Sequence, residues 1–132
     1  MQSDVNALAA ALRQKIRSCI VPRMPNAALL VLCTCPDRAS AGVIAQALLE
    51  RRLAACVNIL PGVSSMYRWQ GKIETAEEVL LVIKTRQPRY AELEAEILSH
   101  HPYELPEVVA VPLDRGLPGY LAWIEQCTTP LP

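Results

Sequence analysis

The sequence predicts an α+β domain of the ferredoxin-like class, with the element order β-α-β-β-α-β and one further helix at its end. Three observations predict this class. An apolar run near residue 30 is typical of a buried strand, two apolar stripes have helical spacing, and two long arms around residue 70 are typical of a β-hairpin. Two right-handed crossovers then give the antiparallel strand order 4-1-3-2, with both helices on one face of the sheet.

The first strand and the first helix have clear boundaries. The run ALLVLCTC is continuous and apolar, as expected of a strand buried on both faces, and Pro36 ends it. Asp37 is a favourable N-cap for the helix that follows, which is predicted to continue to Arg51 and Arg52. The predicted buried face of this helix consists of Ala41, Ile44, Ala45, Leu48 and Leu49.

A long β-hairpin follows, with arms at 54–69 and 72–86, an interruption at Pro61 and Gly62, and a turn at QGK. Each arm reaches ~50 Å at ~3.3 Å per residue, whereas the preceding helix covers only ~24 Å at ~1.5 Å per residue. About half of the hairpin is therefore expected to extend beyond the domain. Because such a bare ribbon is an aggregation hazard, the sequence predicts an oligomer joined through the hairpin tips.

The remaining elements are bounded by prolines. Pro88 suits the first turn of a second helix, and Pro102 ends that helix. The stretch ELPEVVAVPLD predicts the fourth strand, and GLPGYLAWIEQC predicts a short final helix. The packing residues expected in these two helices are Tyr90, Leu93, Ile97, Leu121, Trp123 and Ile124.

Residues 1–26 are predicted to be an N-terminal extension that precedes a domain at 27–132. The extension has a net charge of +3, and Pro22 and Pro25 end it. One helical face would carry Val5, Leu8, Ala9, Leu12 and Ile16. We favour an appended amphipathic helix, and two alternatives stay open: a targeting segment, or an upstream extension with the natural start at Met24.

Composition narrows the class of function. The formal net charge is zero and no basic run alternates with aromatic residues, so a nucleic-acid partner is not expected. No window of ~18 apolar residues is present, so no membrane-spanning segment is expected. Five cysteines without a secretory signal indicate reduced thiols in the cytoplasm. The nucleophile, zinc-protease and phosphate-loop motifs are missing, so an enzyme is not expected.

Several long stretches resemble the CutA1 (divalent-cation tolerance) family over about residues 27–125. They are VLCTCPD, LAACVNILPGVSSMYRWQGKIE, EVLLVIKTR, HHPYELPEVVAVPL and GYLAWI. The resemblance implies a ferredoxin-like subunit, a tight homotrimer and a shape related to the trimeric PII proteins. It also implies an association with copper or another divalent cation, and it implies no reaction.

The metal-linked residues of the family fall on Cys33, His100 and His101 of this sequence. In strand order 4-1-3-2 the end of the second helix and the end of the first strand meet at one end of the sheet. A thiolate with two imidazoles suits copper or zinc and suits magnesium or calcium badly. Cys35, nearer the strand end, is expected to take a smaller part. The alternative is that the histidines cap the helix and Cys33 is a core residue.

A second set combines polar-tipped aromatic residues with charged ones. It is a candidate lining for a cleft between subunits that holds a small anion or metabolite. We favour the alternative that the set builds the trimer interface, where tyrosine and tryptophan are enriched. The set consists of Tyr67, Trp69, Lys72, Lys84, Tyr103, Glu104 and Trp123.

The sequence therefore favours a cytoplasmic homotrimer that binds copper or another divalent cation and takes part in the response to metal ions. The alternative is a PII-like signalling module that binds a small ligand or a protein partner at the subunit interface. A hydrolase-like enzyme is the third and least favoured interpretation.

Overall fold

The computed structural model of this protein describes residues 5–11 and 27–132 of the chain. Residues 5–11 are helical, and the side chains of Val5 and Leu8 are exposed. Leu12 and Ile16, the other large apolar residues of the predicted amphipathic face, lie outside the described residues. The nature of the N-terminal extension therefore stays a prediction.

From residue 27 onward the chain forms one four-stranded sheet, three α-helices and a short 3₁₀ helix at Gln87–Arg89. The elements are β1 (Ala28–Cys35), α1 (Arg38–Glu50), β2 (Cys56–Trp69), β3 (Lys72–Arg86), α2 (Tyr90–His100), β4 (Val109–Pro112) and α3 (Pro118–Cys127). The strand order is β2-β3-β1-β4 and every neighbouring pair is antiparallel, which confirms the predicted α+β class and strand order. None of the helices in the described part of the chain is long and apolar enough to cross a membrane.

One face of the sheet packs against α1 and α2 and forms the core. Every second residue of β1 is buried on this face, opposite buried residues of β3. The core cluster contains Val31, Cys33, Cys35, Ala41, Ile44, Leu48, Leu53, Ala54, Val79, Leu81, Ile83, Leu93 and Ile97. The alternate residues of β1 are only half-buried, so the burial expected on both faces holds for one face within a single chain.

Helix α1 begins where the sequence predicts. The carboxylate of Asp37 accepts a hydrogen bond from the Ser40 backbone N–H at 2.8 Å, and this contact satisfies one of the free amide groups of the first turn. The buried residues of α1 are Ala41, Ile44, Ala45 and Leu48. Leu49, also expected on the buried face, is 44% exposed.

Helix α1 ends at Glu50, two residues earlier than expected, because Arg52 adopts a left-handed backbone conformation with φ of 56°. The Arg52 N–H donates to the Leu49 carbonyl at 3.1 Å, and the Leu53 N–H donates to the Leu48 carbonyl at 2.9 Å. These two bonds and the buried pair of leucines form a Schellman motif, in which a left-handed residue closes the helix.

The hairpin extends well beyond the rest of the sheet. Its turn uses positive φ at Gln70 (48°) and Gly71 (78°), and a register shift between Leu60 and Val63 contains Gly62 with φ of 78°. The pairing of β1 with β3 stops at Cys35 opposite Val79, so the segment 72–78 of β3 pairs with β2 alone. The exposed apolar residues of this overhang are Met66, Tyr67, Trp69 and Ile73.

Helix α3 is attached to the sheet by a buried arginine. The Arg86 side chain donates through Nε to the Thr128 hydroxyl at 2.7 Å and through Nη2 to the Thr128 carbonyl at 3.3 Å. Arg52 also donates to the Gln126 carbonyl, within the last turn of α3, and to the Thr129 carbonyl, just beyond it. Of the three packing residues expected in α3, Ile124 is buried, Leu121 is half-buried and Trp123 is exposed.

Candidate metal centre

Three buried side chains with metal-ligand chemistry meet at the end of β1. The sulfur atoms of Cys33 and Cys35 and a ring nitrogen of His101 all lie within 4.8 Å of one another. The cysteines are two residues apart on one strand, so both side chains point to the helix-covered face of the sheet. Cys35, which was expected to take a smaller part, therefore belongs to this group as fully as Cys33.

The end of α2 brings His101 to the cysteines. The His101 backbone N–H still donates to the Ile97 carbonyl at 2.9 Å, but its backbone is extended, with φ of −74° and ψ of 133°. Pro102 explains this conformation, since a proline disfavours the helical region for the residue before it. The predicted helix stop at Pro102 is thus the feature that turns the His101 imidazole toward the sheet.

Both ring nitrogens of His101 have hydrogen-bond partners. Nδ1 accepts from the Tyr103 backbone N–H at 3.1 Å, so Nδ1 carries the lone pair. Nε2 carries the proton and donates to the Thr34 carbonyl at 2.8 Å. The pairing of β4 with β1 stops at Leu32, and the imidazole satisfies a carbonyl of β1 beyond that point. His101 therefore also stabilises the end of the strand.

The two thiols of the group are coupled. Donation from the Cys33 thiol toward Cys35 raises the pKa of Cys33, and burial raises it further. The same contact lowers the pKa of Cys35, although burial acts in the opposite direction. Cys33 therefore holds a proton that a bound cation would have to displace.

Glu78 and Tyr103 lie next to this group, and Glu78 is absent from the residues predicted from the sequence. The Tyr103 hydroxyl donates to the Glu78 carboxylate at 3.0 Å, and Glu78 is only 9% exposed. Burial raises the pKa of Tyr103 to about 12, with a further contribution from Glu78. The Tyr103 and His101 ring centroids are 4.9 Å apart. The signal in the sequence was an acidic residue directly before the buried run VLLVIK.

His100 lies in a different network, on the outer side of the helices. Its Nε2 bonds to the Glu96 carboxylate at 3.0 Å, and Arg51 forms an ion pair with the same carboxylate. The hydrogen bond from His100, and then the one from Arg51, lowers the pKa of Glu96. The imidazole borders an open groove along α1. The structure thus brings Cys33 and His101 together and places His100 outside their group.

The residues of the predicted subunit cleft lie in four separate places within one chain. Tyr103 and Glu104 follow the metal centre, and Tyr67 is paired with Glu74 on the hairpin. Trp69 and Lys72 lie opposite each other at the hairpin tip. Lys84 bonds to the Asn58 side chain in the sheet, and Trp123 stacks against Tyr120 on α3, with ring centroids 5.5 Å apart. The cleft therefore stays a prediction that depends on a partner chain.

Known proteins are similar to this chain in sequence and in fold. A family model described as CutA1 divalent ion tolerance protein matches residues 29–127. Protein CutA of Mus musculus is 45% identical over 105 residues, which is 80% of this chain and 59% of the mouse protein. The divalent-cation tolerance protein CutA of Thermus thermophilus is 46% identical over 99 residues, 75% of this chain and 96% of that protein.

A solved structure is equally similar. The crystal structure of CutA from Xylella fastidiosa has a TM-score of 0.76 and 47% sequence identity, over 77% of this chain and 98% of that one. The present chain thus spans almost the whole of these bacterial relatives, but only 59% of the length of the mouse protein.

Proposed function

The chain belongs to the CutA1 family of divalent ion tolerance proteins, and we propose that it binds copper or another borderline-soft cation at Cys33, Cys35 and His101. The observation that carries the proposal is the convergence of three buried ligand atoms within 4.8 Å. Two sulfur ligands and one imidazole suit copper or zinc and suit magnesium or calcium badly. Cys35 takes the place that the sequence analysis gave to His100.

The size of the group supports metal binding. Metal–ligand bonds of about 2.0–2.3 Å put two ligand atoms at most about 4.6 Å apart. The atoms of the group lie within 4.8 Å of one another, so their spacing is already close to the spacing that an ion requires. Metal binding also releases protons, because a thiol binds metal as the thiolate.

We also propose that the protein is a homotrimer. The sheet face opposite α1 and α2 carries apolar residues that are half-buried or exposed within one chain, and the overhanging hairpin carries more. On the sheet these residues are Leu30, Leu32, Leu60, Leu80, Val82, Val109 and Val111. A partner that covers this face removes the aggregation hazard of the hairpin edges. The number of three subunits comes from the resemblance to the family.

The proposed role is tolerance of metal ions in the cytoplasm, without catalysis. The relatives are named for tolerance to divalent cations and not for a reaction. The cytoplasmic location rests on the cysteine composition, because reduced thiols are typical of that compartment. The PII-like alternative is not favoured, because the relatives are named for divalent cations and its candidate cleft depends on a partner chain.

Isothermal titration with copper or zinc under reducing conditions tests the proposal. Cys35→Ser and His101→Ala are each expected to weaken binding by at least about tenfold, equivalent to about 1.4 kcal/mol. His100→Ala and Cys127→Ser serve as matched controls, because both residues lie outside the group, and their affinities should equal that of the wild type. Loss of affinity in His100→Ala with none in Cys35→Ser would overturn this assignment.

A further inference from the structure

The structure assigns a second role to Tyr103 and Glu78: we propose that they form a latch that withholds His101 from metal until the segment after Pro102 moves. The inference deepens the proposed function and rests on it. It concerns how the site opens, and its observations are the hydrogen bonds of the His101 ring and of the Tyr103 side chain.

A metal binds His101 through the lone pair of its imidazole. A neutral imidazole has one N–H and one lone pair, and only the lone pair binds metal. In His101 that lone pair, on Nδ1, already accepts from the Tyr103 N–H. The imidazole is therefore in the right place but has no free ligand atom.

Either ring nitrogen of His101 can be freed for a metal, and the two routes break different hydrogen bonds. Binding through Nε2 requires a proton on Nδ1, which would then face the Tyr103 N–H, and it also breaks the bond to the Thr34 carbonyl. Binding through Nδ1 requires only that Tyr103 moves away. It keeps the Nε2–H bond to Thr34, which holds the ring as backbone carbonyls commonly hold ligating histidines. The geometry therefore favours Nδ1 as the ligand atom.

Glu78 holds Tyr103 in place. Its hydroxyl donates at 3.0 Å to Glu78, which lies on β3 and is 9% exposed. Hydrogen bonds to an ionised acceptor are roughly twice as strong as neutral ones. Movement of the Tyr103 N–H away from His101 is therefore opposed by the hydrogen bond between the Tyr103 hydroxyl and Glu78 on β3. The Tyr103–Glu78 bond sets how readily Nδ1 becomes available.

Stopped-flow mixing with Cd²⁺ alone, followed by the ultraviolet absorption of cadmium–thiolate bonds, tests the latch. Tyr103→Phe removes the hydroxyl and should speed binding by about tenfold, the effect expected for loss of a hydrogen bond to a charged group. Glu77→Gln is the matched control. Its carboxylate neighbours Glu78 in sequence but accepts from the Ser64 hydroxyl on the exposed hairpin, so its rate should equal the wild-type rate.

A second variant separates the latch from a simple effect of charge, because Tyr103→Phe also frees a carboxylate that attracts cations. In Tyr103→Phe/Glu78→Gln the carboxylate is neutral and the latch is still absent. The latch predicts fast binding in the double variant as well. A return of the double variant to the wild-type rate, or equal rates in all variants, would overturn it.

Nitrogen NMR of protein labelled at histidine gives an independent readout. The latch predicts that Cd²⁺ shifts the Nδ1 signal of His101 as a ligand, while Nε2 keeps its proton. Ligation through Nε2 would contradict it even if the protein binds metal normally. Failure of every variant to bind Cd²⁺ would overturn the proposed function together with the latch, whereas equal binding rates would overturn the latch alone.

Discussion

Cys33 keeps its proton in the buried centre, and this proton determines how the centre responds to pH. The pKa of Cys33 is raised because its thiol donates toward Cys35 and because it is buried. At neutral pH the free protein therefore keeps this proton, and a cation must displace it. The Cys33 sulfur becomes a ligand only as the proton leaves.

The affinity for metal should accordingly rise with pH. Each displaced proton changes the apparent binding constant by about tenfold per pH unit, so binding is expected to weaken about tenfold or more for each unit below neutrality. Calorimetry in buffers of different ionisation enthalpy measures the protons released. Affinity that is constant between about pH 6 and pH 8, with no proton release, would show that Cys33 is not a ligand.

The sequence predicts that Cys33 and His101 belong to the site, and it also predicts His100 where the structure has Cys35. Alternation along a strand puts Cys35 on the same face as Cys33, and this periodicity is visible in the sequence. The directions of the two histidine side chains are not visible in the sequence. Consecutive helical residues point ~100° apart, and the partner of each side chain depends on packing. Glu96 holds His100 on the outer side, and the Thr34 carbonyl holds His101 on the inner side.

At the scale of the elements, one residue joins the end of α1 to the end of α3. Arg52 closes the helix in a left-handed conformation, and its guanidinium donates to the carbonyls of Gln126 and Thr129 at 2.6 and 2.8 Å. A residue with a Cβ is strained in this conformation, whereas glycine is not. The gain from the side-chain contacts therefore offsets a cost in the backbone.

Two substitutions at Arg52 separate these effects. Both Arg52→Ala and Arg52→Gly lose the contacts with the end of α3, but only alanine keeps the backbone strain. We expect Arg52→Gly to be more stable than Arg52→Ala by about 1 kcal/mol. Chemical denaturation of the two variants measures the difference. Equal stabilities would mean that the left-handed conformation carries no strain at this position.

The elements follow the sequence closely where local chemistry decides their limits. The Asp37 cap, the stop at Pro102 and the turn at Gln70 and Gly71 are local signals, and the structure confirms each of them. The attachment of α3 is different, since it depends on Arg86 and Thr128, which are 42 residues apart. No periodicity in the sequence identifies such a contact.

At the scale of the whole molecule, the open sheet face and the hairpin overhang make the single chain incomplete. Within one chain, Trp69 is 46% exposed and Ile73 is 67% exposed. Apolar residues exposed in this way on a projecting ribbon indicate contact with another chain. This is the physical support for the proposed homotrimer.

Light scattering should give three times the 14.5 kDa mass of the chain. Trp69→Glu is expected to dissociate or unfold the assembly, because it places a charge in the proposed contact. Lys72→Arg is the matched control, since it changes the residue directly opposite Trp69 at the hairpin tip but keeps its charge, and the mass should stay that of the wild type. A monomer mass for the wild type would refute the proposed assembly.

The central claim is that a metal ion binds among Cys33, Cys35 and His101, and the position of the ion tests it most directly. Crystals of the reduced protein grown with copper would locate the ion by its anomalous scattering. We expect the peak between the two sulfur atoms and the His101 ring, at bond lengths of about 2.0–2.3 Å. A peak on His100 and Glu96 at the outer surface, with none at the end of β1, would contradict the account.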